Sequence, residues 1–211
     1  MQPINYAKLT AGLIAAWFIF SLSASALHFF ENNADRVGVS VAMAATTPIV
    51  IFALWITLSR SFRKFAFSLN PQILTLVQSW RIFGFTFVLL EARGALPSVF
   101  ARPAGYGDMA IGMTATLVAW RLARPLYRNS FIAWQLLGTA DLVTAVGLGT
   151  TASLLSPQGP TMGPLTMLPL SLVPTFLVPL FLILHAICIA QAWQWNRTPA
   201  KVARGGVYSA A

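Results

Sequence analysis

The sequence predicts an all-α protein, a polytopic bundle of about six transmembrane helices with both termini in the cytoplasm, and three observations carry that prediction. Apolar runs of about twenty residues recur along the chain, each long enough to cross hydrocarbon as a helix. Only 9% of the 211 residues are charged and 57% are hydrophobic, with a mean hydropathy of +0.70, whereas soluble domains carry roughly 25% charged residues. The remaining charges cluster between the runs, and alternate loops are the more basic ones.

The runs fall near 9–30, 39–59, 72–92, 104–123, 130–154 and 166–194. The connection after the first carries Glu31, Asp35 and Arg36, and the next carries Arg60, Arg63 and Lys64. Arg93 and Arg102 follow the third, Arg121, Arg124 and Arg128 follow the fourth, and the fifth connection has no charge. Excess Lys and Arg mark the cytoplasmic side, so the N-terminus with Lys8, the second and fourth loops, and the tail with Arg197, Lys201 and Arg204 all belong there. Trp55, Trp120, Trp134, Trp193 and Trp195 fall near the same inner boundary, where indole rings sit well between lipid tail and water. Residues 1–196 therefore read as one six-helix domain, and 197–211 as a short, basic, disordered cytoplasmic tail. Lys8, the apolar core behind it and Ala24-Ser25-Ala26 also fit a secretory signal with its cleavage site. The apolar run continues through Leu27, Phe29 and Phe30, which suits an uncleaved span better.

The segment ARPAGYGDMAIG, Ala101 to Gly112, contains the GYGD of potassium-channel filters. The filter's Thr and Val are replaced by Pro103 and Ala104, and only Met109 to Trp120 separates GYGD from Arg121, too few residues for an inner helix. GYGD is therefore expected to form the opening turn of the fourth span, with Pro103 in the first helical turn. Ala104, Asp108, Gly112 and Thr116, four apart, then make a stripe of small residues, and Gly105, Gly107 and Gly112 serve close helix packing.

The wider stretch from Trp80 to Ala115 resembles a pattern found in an uncharacterised family of bacterial polytopic inner-membrane proteins: an arginine within a span, then LPxxFAxPAGxGDxxxG. The matching residues are Arg81, Leu96, Pro97, Phe100, Ala101, Pro103, Ala104, Gly105, Gly107, Asp108 and Gly112. The resemblance implies a bacterial inner (plasma) membrane location and lends no activity and no catalytic residue.

Ionisable groups inside a span are costly unless they face a partner or a wet cavity. Arg81, Asp141 and His185 lie roughly 15–18 Å from the inner boundary at helical rise, and so share one depth. Gln78, Arg81, Gly84, Val88 and Glu91 share a face of the third span. Arg81, Asp141, His185 and Gln78 thus form a candidate mid-membrane polar site, serving either as a buried ion pair that fixes helix register or as a proton or solute path. His28, Glu31, Glu91, Arg93, Arg102 and Asp108 form a second, outer group, read either as a solvated rim or as an anion-gripping pocket. Pro169, Pro174 and Pro179, five apart, predict a kinked, slightly opened helix near His185.

Several classes are disfavoured. A net charge of +9 would suggest nucleic acid in a soluble chain, but here the basic residues are scattered between apolar runs, so no nucleic-acid partner is expected. Cys188 is the one cysteine and allows no intramolecular disulfide. No zinc site is expected from two separated histidines. Haem held by His28 and His185 would need one depth, whereas theirs differ by roughly 10–15 Å. No cofactor, no catalytic residue and no metal ligand are therefore assigned. The expected partners are the lipid bilayer and either a protein subunit or a second copy. Function divides between small-solute or proton-coupled transport through the mid-membrane site and a non-catalytic accessory or sensory subunit whose buried charges are structural.

Overall fold

The computed structural model describes residues 5–31, 38–155 and 158–195. Asp35, Arg36 and the predicted tail at 197–211 lie outside them. Every described element is helical: α1 (Tyr6–Ala26), α2 (Val39–Leu58), α3 (Arg60–Ser68), α4 (Pro71–Val77), α5 (Phe85–Ala92), α6 (Ser98–Arg121), α7 (Arg128–Leu155) and α8 (Val178–Gln194), joined by short 3-10 and π segments. Five helical stretches are long and apolar enough to cross a membrane: Tyr6–Ala26, Val39–Leu58, Pro71–Ala92, Pro125–Ala152 and Val173–Gln194. Leu58, Ile19, Leu137 and Val143, among others, point outward. Such an apolar exterior suits lipid rather than water. At 24 residues, α6 matches these in length but is less apolar, because it holds Arg102, Asp108 and Arg121 together with its glycines.

It is also the helix on which the third span and α7 both pack. α6 packs on α4, on the 3-10 segment Gln78–Gly84, on α5 and on α7, while α8 packs on α2, α4 and α7. Its buried face runs through Ala101, Ala104, Gly105, Ile111, Gly112, Ala115 and Ala119. Steps of four drift away from a period of 3.6, so the face moves from Gly112 to Ala115 and leaves Thr116 exposed. Pro103 does not open this helix. The helix begins at Ser98 after Pro97, and Pro103 lies inside it.

The third span is a composite, with a 3-10 stretch between α4 and α5. In a 3-10 helix residues three apart eclipse one another. Thr75, Gln78, Arg81, Gly84 and Phe87 are accordingly all buried. The connection to α6 is tight: Gly94, at φ +70, takes the left-handed conformation that closes the helix end, with its N–H bonded to the Glu91 carbonyl at 2.8 Å.

The first helix ends at Ala26 and not near residue 30, since the chain turns through Leu27–Phe30 with His28 at φ 58 and Phe30 tucked fully inside. The last span also starts later than 166: Pro174 opens the π segment Val173–Leu177 and Pro179 opens α8. Because Pro179 has no N–H for the carbonyl four residues earlier, that of Thr175 is released. It accepts instead from Trp17 Nε1 at 3.0 Å and from Ser21 Oγ at 3.4 Å, and Ser171 bonds Ser25 at 2.8 Å. The carbonyl freed by Pro179 thus gives α1 one attachment to the bundle, beside the packing of Tyr6 on Trp55, Phe62 and Phe65.

Candidate functional site

Two apolar clusters bracket the middle of the bundle. One gathers Phe87, Phe100, Ala104 and Ala152, and the other gathers Leu74, Val118, Phe131 and Ile187. Along α4–α5, α6, α7 and α8 the polar residue in question lies between them, at Arg81, Asp108, Asp141 and His185.

The Arg81 side chain is 1% exposed and is the hub. Its Nε donates to Asp108 Oδ1 at 2.7 Å, its Nη2 to Asp141 Oδ2, and its Nη1 to the Gly138 carbonyl at 3.2 Å. Nη1 also lies 3.3 Å from His185 Nε2. An arginine can only donate, so Nε2 must accept, and the imidazole is the neutral tautomer with its hydrogen on Nδ1. That hydrogen meets Gln135 Oε1. Gln135 Nε2 then donates to Thr75 Oγ1 at 3.1 Å, and Thr75 donates to the Pro71 carbonyl at 2.8 Å. The hydrogen bonds thus run without a break from Arg81 to the start of α4. Trp134 covers the ring of His185, with centroids 5.9 Å apart, and its own N–H bonds Thr114 at 3.0 Å.

Glycine makes the crowding possible. A Cβ on Gly138 would lie 2.5 Å from His185 Cε1 and 3.3 Å from Arg81 Nη1. One on Gly112 would lie 2.9 Å from the Arg81 carbonyl carbon, and one on Gly105 would lie 3.0 Å from the Gly84 carbonyl oxygen. At Gly105 and Gly112 the neighbouring helix comes within contact of the backbone. Gly107 has a different reason: the space beside it is taken by the Asp141 carboxylate and not by a neighbouring backbone.

The predicted mid-membrane residues Arg81, Asp141 and His185 come together, and Gln78 lies beside them, donating to the Phe181 carbonyl at 3.3 Å with its Oε1 buried and, among the described residues, unpartnered. The predicted outer group does not hold together. His28 pairs locally with Glu31 at 2.6 Å, and Arg102 pairs with Glu91 at 2.8 Å. Arg93 is exposed at the end of α5. Asp108 leaves that group altogether, because α6 starts at Ser98 and not at 104, which sinks Asp108 about 15 Å along the helix to the level of Arg81. Sequence reasoning also missed Thr75, Gln135 and Gly138. The signal was available: Thr75 stands three and six residues before Gln78 and Arg81, and Gln135 three and six before Gly138 and Asp141.

Among the described residues, no three His, Cys, Asp or Glu side chains group as a metal ion requires. The guanidinium holds the central position between the two carboxylates. Among the described residues, Asp108 Oδ2 and Asp141 Oδ1 have no hydrogen-bond partner, and their side chains are 15% and 17% exposed. Beside Arg81 and Asp108 opens a cavity of about 300 Å³, walled by Trp80, Phe83 and Phe87 on one side and by Val173, Leu177 and Phe181 on the other.

One family model matches the chain, that of a domain of unknown function (DUF8737), over residues 36–192. Neither a curated protein nor a solved structure matches it. The matched stretch contains Arg81, Asp108, Asp141 and His185 and leaves out α1.

Proposed function

The chain belongs to the family described as a domain of unknown function, DUF8737, and from that premise we propose a six-span bacterial inner-membrane protein that couples movement of a small solute to a proton at the Arg81 site. One observation carries the reading, namely two aspartates sharing one guanidinium beside a cavity. With Arg81 charged, both aspartates ionised and the imidazole neutral, the cluster holds one unmatched negative charge. Such a charge in a low-dielectric interior costs several kcal/mol unless something neutralises it. A proton on Asp108 or Asp141 does so, and His185, Gln135 and Thr75 extend the hydrogen-bonded chain toward the start of α4. Carboxylates within membrane spans that gain and lose a proton are a recurring element of pumps and transporters.

Infrared difference spectroscopy of the purified protein tests this. A protonated-carboxyl band that titrates with pH and disappears in Asp108→Asn or Asp141→Asn is expected, and its absence over the whole stable pH range overturns the reading. The orientation, with both termini cytoplasmic, rests on the basic loops. Reporter fusions at Lys64, Gly159 and Arg204 should read inside, outside and inside, and an outside signal at Lys64 reverses the map.

A second reading has its own support. An arginine has five N–H donors, and four of those of Arg81 are occupied, which is also how a purely structural clamp in an accessory or sensory subunit would look. A charge-free variant that folds and retains the cell's dependence on the protein would favour that role.

A further inference from the structure

The cavity beside Arg81 has a composition that selects its occupant. Its cation is already engaged, since Nε and Nη2 of Arg81 are bound to carboxylates and Nη1 to Gly138 and His185. An anionic solute would find at most one N–H of Arg81 left over, beside two carboxylates that repel it. Asp108, by contrast, lines the cavity with one oxygen unpartnered among the described residues, while Asp141 is set back against Gly107 and does not line it. Apart from Thr86 the rest of the wall is apolar, and it includes four aromatic side chains, Trp80, Phe83, Phe87 and Phe181, of the kind that attract cations. At about 300 Å³ the space equals about ten waters in liquid volume, enough for a small organic molecule and at the lower limit of ligand pockets.

The geometry points to a small lipophilic ammonium ion as the solute, its alkyl or aryl part in the apolar wall and its charged nitrogen on Asp108. This deepens the proton-coupled reading and rests on it: the single unmatched negative charge can be neutralised by a proton or by the ammonium, so binding one displaces the other and the transport mode is exchange. The ionisable groups around Asp108 are Arg81 from the 3-10 segment, Asp141 from α7 and, across Arg81, His185 from α8, of which only Asp141 adds negative charge. No covalent step is involved.

The test uses three probes of one size, pentylammonium, pentanoate and 1-pentanol, with the full-length protein in detergent and thermal stability as readout. Pentylammonium alone should raise Tm, and Asp108→Asn should weaken its binding about tenfold or more, the loss expected for a charge-assisted hydrogen bond. Leu177→Trp, which fills the cavity and leaves every charge in place, should also abolish the shift, and it decides the matter if Asp108→Asn fails to fold. In proteoliposomes, external pentylammonium should drive one proton outward through the wild type. Stabilisation by pentanoate would make Arg81 the anchor and overturn the inference. An equal response to pentanol would mean an apolar crevice, and no response to any probe would mean no such site; each overturns it. A titrating carboxyl band without pentylammonium binding sinks this inference and spares the proton site, whereas loss of the band sinks the reading beneath it.

Discussion

Arg81 and Arg102 are both arginines bound to carboxylates on α5, α6 or their neighbours, yet their surroundings are opposite. The Arg81 side chain is 1% exposed and has acceptors from α6, α7 and α8 around it. The Arg102 side chain is 63% exposed and, among the described residues, holds Glu91 alone. Water or lipid headgroups can replace Glu91 at any moment, so that pair adds little. Nothing replaces the partners of Arg81, and an ion stripped of them would be stranded in an apolar interior. The same two residue types therefore mark a reorganisable rim in one place and the organising centre of four helices in the other.

The comparison can be broken most directly at its centre. Arg81→Leu strands two carboxylates and should cost about 3–5 kcal/mol, read as lost folded yield or lowered Tm in detergent. Because two aspartates share the arginine, Arg81→Leu with Asp141→Leu should recover only part of the loss, and adding Asp108→Asn should recover more. Strictly additive losses across that series would show that the three groups do not act together.

A smaller effect is expected from the contacts that hold the centre shut. Gly112→Ala places a methyl against the backbone of Arg81 and Ile82, which cannot rotate away, and should destabilise by about 1–3 kcal/mol. Gly147→Ala, on α7, meets nothing within 4 Å and should be neutral or mildly stabilising in the same thermal assay. Equal losses at both positions would mean that contact at Arg81 does not govern the result.

Smaller still is the attachment of α1. Trp17→Phe removes the main donor to the carbonyl freed by Pro179 and should cost about 1 kcal/mol. Limited proteolysis should show α1 loosening before the rest of the bundle; no change in its protection would place the attachment elsewhere. At the far end of the scale, Arg102→Ala should shift stability by about 0–1 kcal/mol, with any shift shrinking as salt rises. A loss as large as that of Arg81→Leu would erase the distinction between rim and centre.

What the sequence determined by itself was the helical class, the apolar runs long enough to cross a membrane, and that Arg81, Asp141 and His185 share one level of their helices. These follow from quantities that are local along the chain: about 1.5 Å of rise per residue and the cost of a lone charge in an apolar run. Tertiary structure decided the partners. Asp108 looked like a rim residue because Pro103 looked like a helix start, and only the packing of α6 shows the helix running back to Ser98. Gly107 looked like a helix-packing glycine, but which neighbour fills its space depends on the rotation of α7, which brings Asp141 there. The carbonyl released by Pro179 was foreseeable, whereas its capture by Trp17 was not, since those residues are 158 positions from Thr175 to Trp17 in sequence. Helix spacing fixes the face a residue occupies, but every apolar face is chemically alike, so it takes the fit of glycines, carboxylates and rings against one another to choose which faces meet.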